Sequence, residues 1–423
     1  MLFKSTGKNG ILSTLKEAIL HPLPEDGGLY LPQYIPKNFL PAKWRELPFK
    51  DLCIEIARPF LIQDFLESKI EEIVSLSITF DAPIYKLNEK ISFLELWHGP
   101  TLAFKDFGAR FLARLLENFR EKQTHILVAT SGDTGAAVAA GFLNIQGITV
   151  HVLYPKGKIT AFQEAQIRTL GNNIKTYAIE GDFDDCQRIV KKAFLDKEIN
   201  EKIVLSSANS INIGRLIPQI FYYFRGTAQL SSSSIDVIVP SGNFGNFTAA
   251  IMAKMMGAPI GNLTAATNSN DTILRYFQTG VYEPKDTKVT LSNAMDVSAP
   301  SNFERIWGLL GRNVHDLTNY FTCKSVPDDH CKMGIMELYD QYNYLIDPHT
   351  ATGYLAANFL SGNPQLILST AHPCKFLDCM QKIWVGKKLP KDLDISLEGI
   401  TLNKSHENLS KHFVDFKSCL MDF

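Results

Sequence analysis

The chain has 423 residues, 45% of them hydrophobic and 21% charged. That is the composition of a globular protein with ample core, and the length allows two or three domains. Lysine and arginine number 43 against 44 aspartates and glutamates, which argues against a nucleic-acid footprint or a polybasic membrane surface. No run approaches the roughly 20 apolar residues of a membrane span. Met1 to Gly7 lacks the apolar stretch of a signal peptide, and the seven cysteines form no C-x-x-C pair. The expectation is a cytoplasmic protein with reduced thiols and no membrane or nucleic-acid partner.

Residues 1–92 read as a mostly helical segment, interrupted by the turn-rich patch Leu23-Pro24-Glu25-Asp26-Gly27-Gly28 and closed near Pro83. Next comes His98-Gly99-Pro100-Thr101-Leu102-Ala103-Phe104-Lys105-Asp106-Phe107. Lys105 opens a helix whose apolar face runs Phe107, Phe111, Leu112, Leu115 and Phe119, with Arg110, Arg114 and Glu117 opposite. A single lysine among Leu102, Ala103, Phe104 and Phe107 is a candidate for desolvation. Desolvation favours the neutral amine, the form that makes Schiff bases. The alternative is a lysine whose stem lies on apolar surface and whose head reaches water.

From Ile126 onward, short β-branched runs alternate with helical patterns. Strands are predicted at 126–130, 149–154, 174–179, 203–207, 235–239 and 366–370. The first leads through Thr130-Ser131-Gly132-Asp133-Thr134-Gly135 into a helix of small residues, Ala136, Ala137, Ala139 and Ala140. Hydroxyls and backbone donors at that helix start suit an anionic group, or serve as a plain helix cap. The fourth leads into Asn209-Ser210-Ile211-Asn212-Ile213-Gly214-Arg215, which offers amides and one fixed cation able to grip a phosphate. A serine run, Ser231 to Ser234, reads as an exposed loop. The fifth strand leads into Ser241-Gly242-Asn243-Phe244-Gly245-Asn246 and a helix starting near Phe247. Its glycines let backbone N–H groups approach a phosphate at a helix N-terminus, although an ordinary strand–turn–helix connection has the same outline. Apolar strands separated by helices indicate parallel sheets covered on both faces, so the fold class is α/β with a helical N-terminal addition.

Taken together and in this order, the segments resemble the threonine synthases, members of the tryptophan-synthase-β-like group of pyridoxal-phosphate enzymes. The carrying segments are HGPTLAFKDFGARFL, TSGDTGAA, NSINIGR, VPSGNFGN, SNFER, DPHTATG and STAHPCKF. LPEDGGLYLP resembles the N-terminal segment of the longer bacterial and fungal-type members. The family usually opens with a serine-threonine-arginine-glycine segment, whereas here Ser5-Thr6 is followed by Gly7-Lys8-Asn9-Gly10.

The resemblance implies two open, twisted, mostly parallel sheets flanked by helices (fold type II). Its domains would be an N-terminal one over 1–92, a large one over 93–126 and 216–423, and a small one over 127–215. It implies pyridoxal 5'-phosphate as cofactor, with Lys105 as Schiff-base lysine and general base. Gly242, Asn243, Phe244, Gly245 and Asn246 would be the cofactor phosphate cradle, and Thr370 the hydroxyl facing the pyridine nitrogen. Asp133 stands near the cofactor with its role open. Ser131, Thr134, Asn209 and Arg215 would take the substrate's carboxylate and phosphate. The implied reaction converts O-phospho-L-homoserine and water to L-threonine and phosphate in a monomer or homodimer. Two rivals stand beside it, a phospholyase acting on O-phosphothreonine and a relative that only binds.

Overall fold

The computed structural model describes residues 1–358, 360–384, 390, 393 and 406–422. In chain order the strands are β1 (Phe3–Ser5), β2 (Leu12–Ser13), β3 (Tyr30–Pro32), β4 (Ile84–Lys86), β5 (Ile91–Glu95), β6 (Thr124–Ala129) and β7 (Ile148–Pro155). They continue as β8 (Ile174–Glu180), β9 (Val204–Ser207), β10 (Ile235–Pro240), β11 (Ile260–Thr267), β12 (Thr322–Ser325), β13 (Gln365–Ser369) and β14 (His406–Ser410). They build three sheets, ordered β2-β1-β3, β12-β11-β10-β13-β5-β4 and β14-β8-β7-β6-β9. The five-stranded sheet is wholly parallel. The six-stranded sheet is parallel except for β4, which runs antiparallel to β5. Strands that each feed a helix need long crossovers, which parallel pairing accommodates.

The helix Lys105–Phe119 sits at the heart of the molecule. Phe107, Phe111, Leu112, Leu115 and Phe119 are all buried. The neighbouring helix Asp133–Phe142 is rich in small residues because it lies almost backbone to backbone with it. A Cβ on Gly141 would stand 3.1 Å from the Ala109 carbonyl carbon. Arg110, on the polar face, donates from Nε to the Ser77 carbonyl (2.8 Å) and so ties off the helix Glu67–Ser77 at its C-terminus.

The structure corrects the reading of residues 1–92. That segment holds the helices Leu15–Leu20, Phe49–Leu61 and Glu67–Ser77, but also all of the antiparallel sheet and the edge strand β4. Strands of two or three residues carry no readable alternation, so local pattern missed them. A boundary at 92/93 also cuts through β5, an inner strand of the six-stranded sheet. At the other end, assigning 216–423 to the large domain fails for β14, which pairs with β8 along the edge of the five-stranded sheet. His406–Ser410 is polar and far from β8 in sequence, so only the pairing itself reveals it.

Candidate active site

Four strand-end loops converge, and the carboxyl ends of strands are where open α/β sheets bind ligands. Ser241–Gly245 follows β10 and enters the helix Gly245–Met256. Gly242 has to be glycine, since a Cβ there would lie 2.6 Å from Met295 Cα. Phe244 holds φ +58°, a left-handed conformation strained for an aromatic residue, and its ring packs edge-on to Phe247 and Phe303. Among the described residues, the N–H groups from Gly242 to Phe247 find no protein acceptor. The Asn246 side chain is buried, and its Oδ1 accepts from the Tyr222 and Tyr223 hydroxyls, both at 2.6 Å. Its Nδ2 is left with no partner. Donors lacking acceptors are costly where they are buried, as at Phe244 and Asn246, unless something accepts from them. The Asn243 side chain is not part of that set. Its Nδ2 donates to Ser210 Oγ (2.7 Å) and its Oδ1 accepts from the Ser301 N–H (2.7 Å), so it laces three loops together.

Lys105 lies across the site in largely apolar surroundings, its Nζ over the Phe104 ring. Leu102, in the loop leading to it, also has a left-handed φ of +58°. Burial lowers the pKa of Lys105; Asp133 opposes this, and Lys375 and Arg215 reinforce it. The nearest carboxylate oxygen, Asp133 Oδ2, is 3.6 Å away, beyond a good hydrogen bond. Asp133 Oδ1 instead meets Lys375 Nζ at 3.1 Å and accepts from Gln163 Nε2 at 3.0 Å. Burial favours the acid form of Asp133, but Lys375, Lys105 and the Gln163 hydrogen bond outweigh it and hold the carboxyl below its ordinary pKa. Gly132 just before it has φ +135°, and a Cβ there would overlap Gln163.

Arg215 is buried, with Nη1 donating to the Ala208 carbonyl (2.8 Å) and Nε unpartnered. Burial pushes it down to about 10. Asn209 spends Nδ2 on the Ala129 carbonyl (3.2 Å), while Ser131 and Thr134 are half-buried at the start of the helix Asp133–Phe142. Thr370 is buried at the end of β13, and its carbonyl accepts from the Phe104 N–H (2.9 Å), one residue before Lys105. Arg305 of SNFER donates to the carbonyls of Tyr30 and Ser210, at 3.0 and 2.8 Å, as well as that of Ile211. It pins the Asn209–Arg215 loop to the N-terminal sheet.

Residues 79–367 match the model of the pyridoxal-phosphate dependent enzymes, and residues 2–78 match that of the threonine synthase N terminus. A threonine synthase of Haemophilus influenzae is 44% identical over 90% of this chain and 91% of its own length. The chain belongs to the threonine synthase family. Among solved structures, the threonine synthase of Escherichia coli superposes with a TM-score of 0.90 at 39% identity, with both chains fully covered. That of Brucella melitensis, with pyridoxal phosphate bound, gives 0.91 at 31% identity over 100% of this chain and 99% of its own. The fold implied by the motifs is therefore the observed one.

The site fits the family's cofactor. The open donors from Gly242 to Asn246 suit a phosphate, and an amine whose pKa burial lowers suits an aldehyde. Sequence reasoning missed Lys375, Gln163, Tyr222 and Tyr223. Lys375 lay within STAHPCKF without a role, and nothing local to the other three marks them.

Proposed function

We propose that the chain converts O-phospho-L-homoserine and water to L-threonine and phosphate, with Lys105 carrying pyridoxal phosphate. The observation that carries this is the pairing of a desolvated amine with an acceptor-less donor cradle. Gly242, Phe244, Gly245 and Asn246 hold the cofactor phosphate through backbone N–H groups and Asn246 Nδ2, while Asn243 holds the cradle in shape. Thr370 offers its hydroxyl to the ring nitrogen. When bound, the cofactor supplies an electron sink that acidifies the carbons near the substrate amine.

The chain's own residues then bind and move protons. Lys105, freed as an amine, takes the Cα proton and later returns one there. Arg215, with its unpartnered Nε, grips the substrate phosphate, which leaves from Cγ. Ser131, Thr134 and Asn209 orient the carboxylate. In balance, the Cγ–O bond breaks, a C–O bond to water forms at Cβ, and Cγ gains the proton that Cβ loses. The enzyme acts on a small molecule, and no described helix is long and apolar enough to cross a membrane.

Assay with O-phospho-L-homoserine and with O-phosphothreonine tests the proposal. Threonine and equimolar phosphate from the first substrate are expected. A 2-oxo acid from the second, with no threonine from the first, would establish a phospholyase instead.

A further inference from the structure

Two lysines share one aspartate in this site, and the geometry divides their roles. Lys375 is fully buried. Its Nζ meets Asp133 Oδ1 at 3.1 Å, Gln166 Oε1 at 2.9 Å and the Thr101 carbonyl at 2.5 Å. Gln166 also donates from Nε2 to the same Thr101 carbonyl (3.2 Å), which fixes its amide so that the oxygen faces Lys375. Three acceptors around one nitrogen are the full complement of an ammonium, whereas a neutral amine has only two hydrogens to give. Lys105 makes a single contact to the same carboxylate, at 3.6 Å.

We propose that Lys375 is a positioning residue: it claims Asp133 as its own counter-ion and so leaves Lys105 as the uncharged amine of the site. The pair Asp133–Lys375 is closed and neutral. Were Lys375 absent, Asp133 would be a buried carboxylate with Lys105 as its nearest cation, and Lys105 would be held as an ammonium. The other charged groups do not replace this arrangement. Arg215 repels a charge on Lys105 but bonds to Ala208. Asp106 faces Thr101, accepting from its N–H and hydroxyl. His349 acts on Asp133 but is engaged at both ring nitrogens, Nδ1 with Asp347 Oδ1 (2.6 Å) and Nε2 with the Ala294 N–H (3.2 Å).

The consequence rests on the proposed role of Lys105, since only an uncharged amine attacks an aldehyde or takes a proton. The test does not. The full-length chain, freed of cofactor, is treated with acetic anhydride across a range of pH, and acetylation of Lys105 is read by mass spectrometry. In the wild type the midpoint should fall below that of exposed lysines. Lys375→Met should raise it by about one unit, which is about a tenfold slower acetylation at neutral pH. Adding Asp133→Asn to that variant should bring the midpoint back towards the wild type, because both charges are then gone. A wild-type midpoint in Lys375→Met overturns the proposal, as does a double variant that stays as high as the single one. Should Lys375→Met fail to fold, Lys375→Gln takes its place. If neither folds, a wild-type midpoint level with the exposed lysines overturns it and a lower one supports it. Loss of borohydride-fixable cofactor in Lys105→Ala tests the role of Lys105 separately.

Discussion

The two ends of the site are built on opposite principles. The Gly242–Asn246 end carries no charged side chain and offers backbone N–H groups and one amide, all from a single stretch of chain. The lysine end is made of ionisable groups from three distant segments, Lys105, Asp133 and Lys375. Neutral donors at a helix start hold an anion with little dependence on pH. A cluster of one carboxylate and two amines sets the proton state of whatever reacts there. On the proposed reading, binding and proton transfer are carried by separate parts, so each can be damaged while the other survives.

The largest expected effect breaks the lysine end outright. Lys105→Ala should lower kcat by at least about a thousandfold, in keeping with loss of a general base and of covalent attachment. The phosphate cradle should remain, so the variant should still bind cofactor reversibly in equilibrium dialysis. Borohydride-fixable cofactor in this variant would show that another lysine carries it.

A second comparison lies within the lysine end, between its carboxylates. Asp133 faces two amines and its pKa is lowered, whereas Asp106 forms no ion pair among the described residues and burial raises its pKa to about 6 despite two hydrogen bonds from Thr101. A carboxyl raised in the folded state contributes stability that is full below its unfolded pKa, near 4, and is lost as pH rises through about 6. Asp106→Asn removes that titration. The difference in unfolding free energy between wild type and variant should shift in the variant's favour by about 2 kcal/mol between pH 4 and pH 7. Denaturant titrations at those two pH values measure it. A constant difference would mean that folding leaves the Asp106 pKa unshifted.

The proposed role of Arg215 puts it on the substrate side of the comparison. Hydrogen bonds to charged groups are worth roughly 1.5–3 kcal/mol, so Arg215→Ala should cost about 10- to 150-fold in kcat/KM. Cofactor binding should be unaffected. A loss confined to cofactor affinity would move Arg215 from substrate to cradle.

What the sequence made legible follows the same divide. β10, the glycine loop and the following helix are consecutive, so the cradle could be read from local turn chemistry. The small-residue helix after Asp133 was equally visible, and its reason appeared only with Gly141 against Ala109. Asp133 was placed at the site, but its role depends on Lys375, which comes 242 residues later in the chain and enters through the turn Pro373–Phe376. No spacing rule joins them. β14 and Arg305 were unreadable for the same reason, since their partners are set by tertiary pairing rather than by neighbours in sequence.

The smallest expected effect tests the neutral end and turns on the orientation of one amide. Asn246 Oδ1 lies 2.6 Å from both the Tyr222 and the Tyr223 hydroxyl. Both tyrosines are fully buried, and burial raises their pKa well above the ordinary value, so both keep their protons. Each has one hydrogen to give, and an amide oxygen accepts two bonds. The pair therefore fixes the amide with its NH2 turned away from them, which leaves Nδ2 unpartnered. Tyr222→Phe with Tyr223→Phe would free the amide to rotate while keeping both rings in the core. Neutral hydrogen bonds contribute about 0.5–1.5 kcal/mol each, so the cofactor dissociation constant should rise by about tenfold. With cofactor saturating, kcat should stay within about twofold of wild type, because the lysine end is untouched. Tyr223→Phe alone should give a smaller rise, since Tyr222 can still hold the oxygen. If the double variant lowers kcat at saturating cofactor as much as it weakens binding, the two ends are coupled and the separation of binding from proton transfer fails.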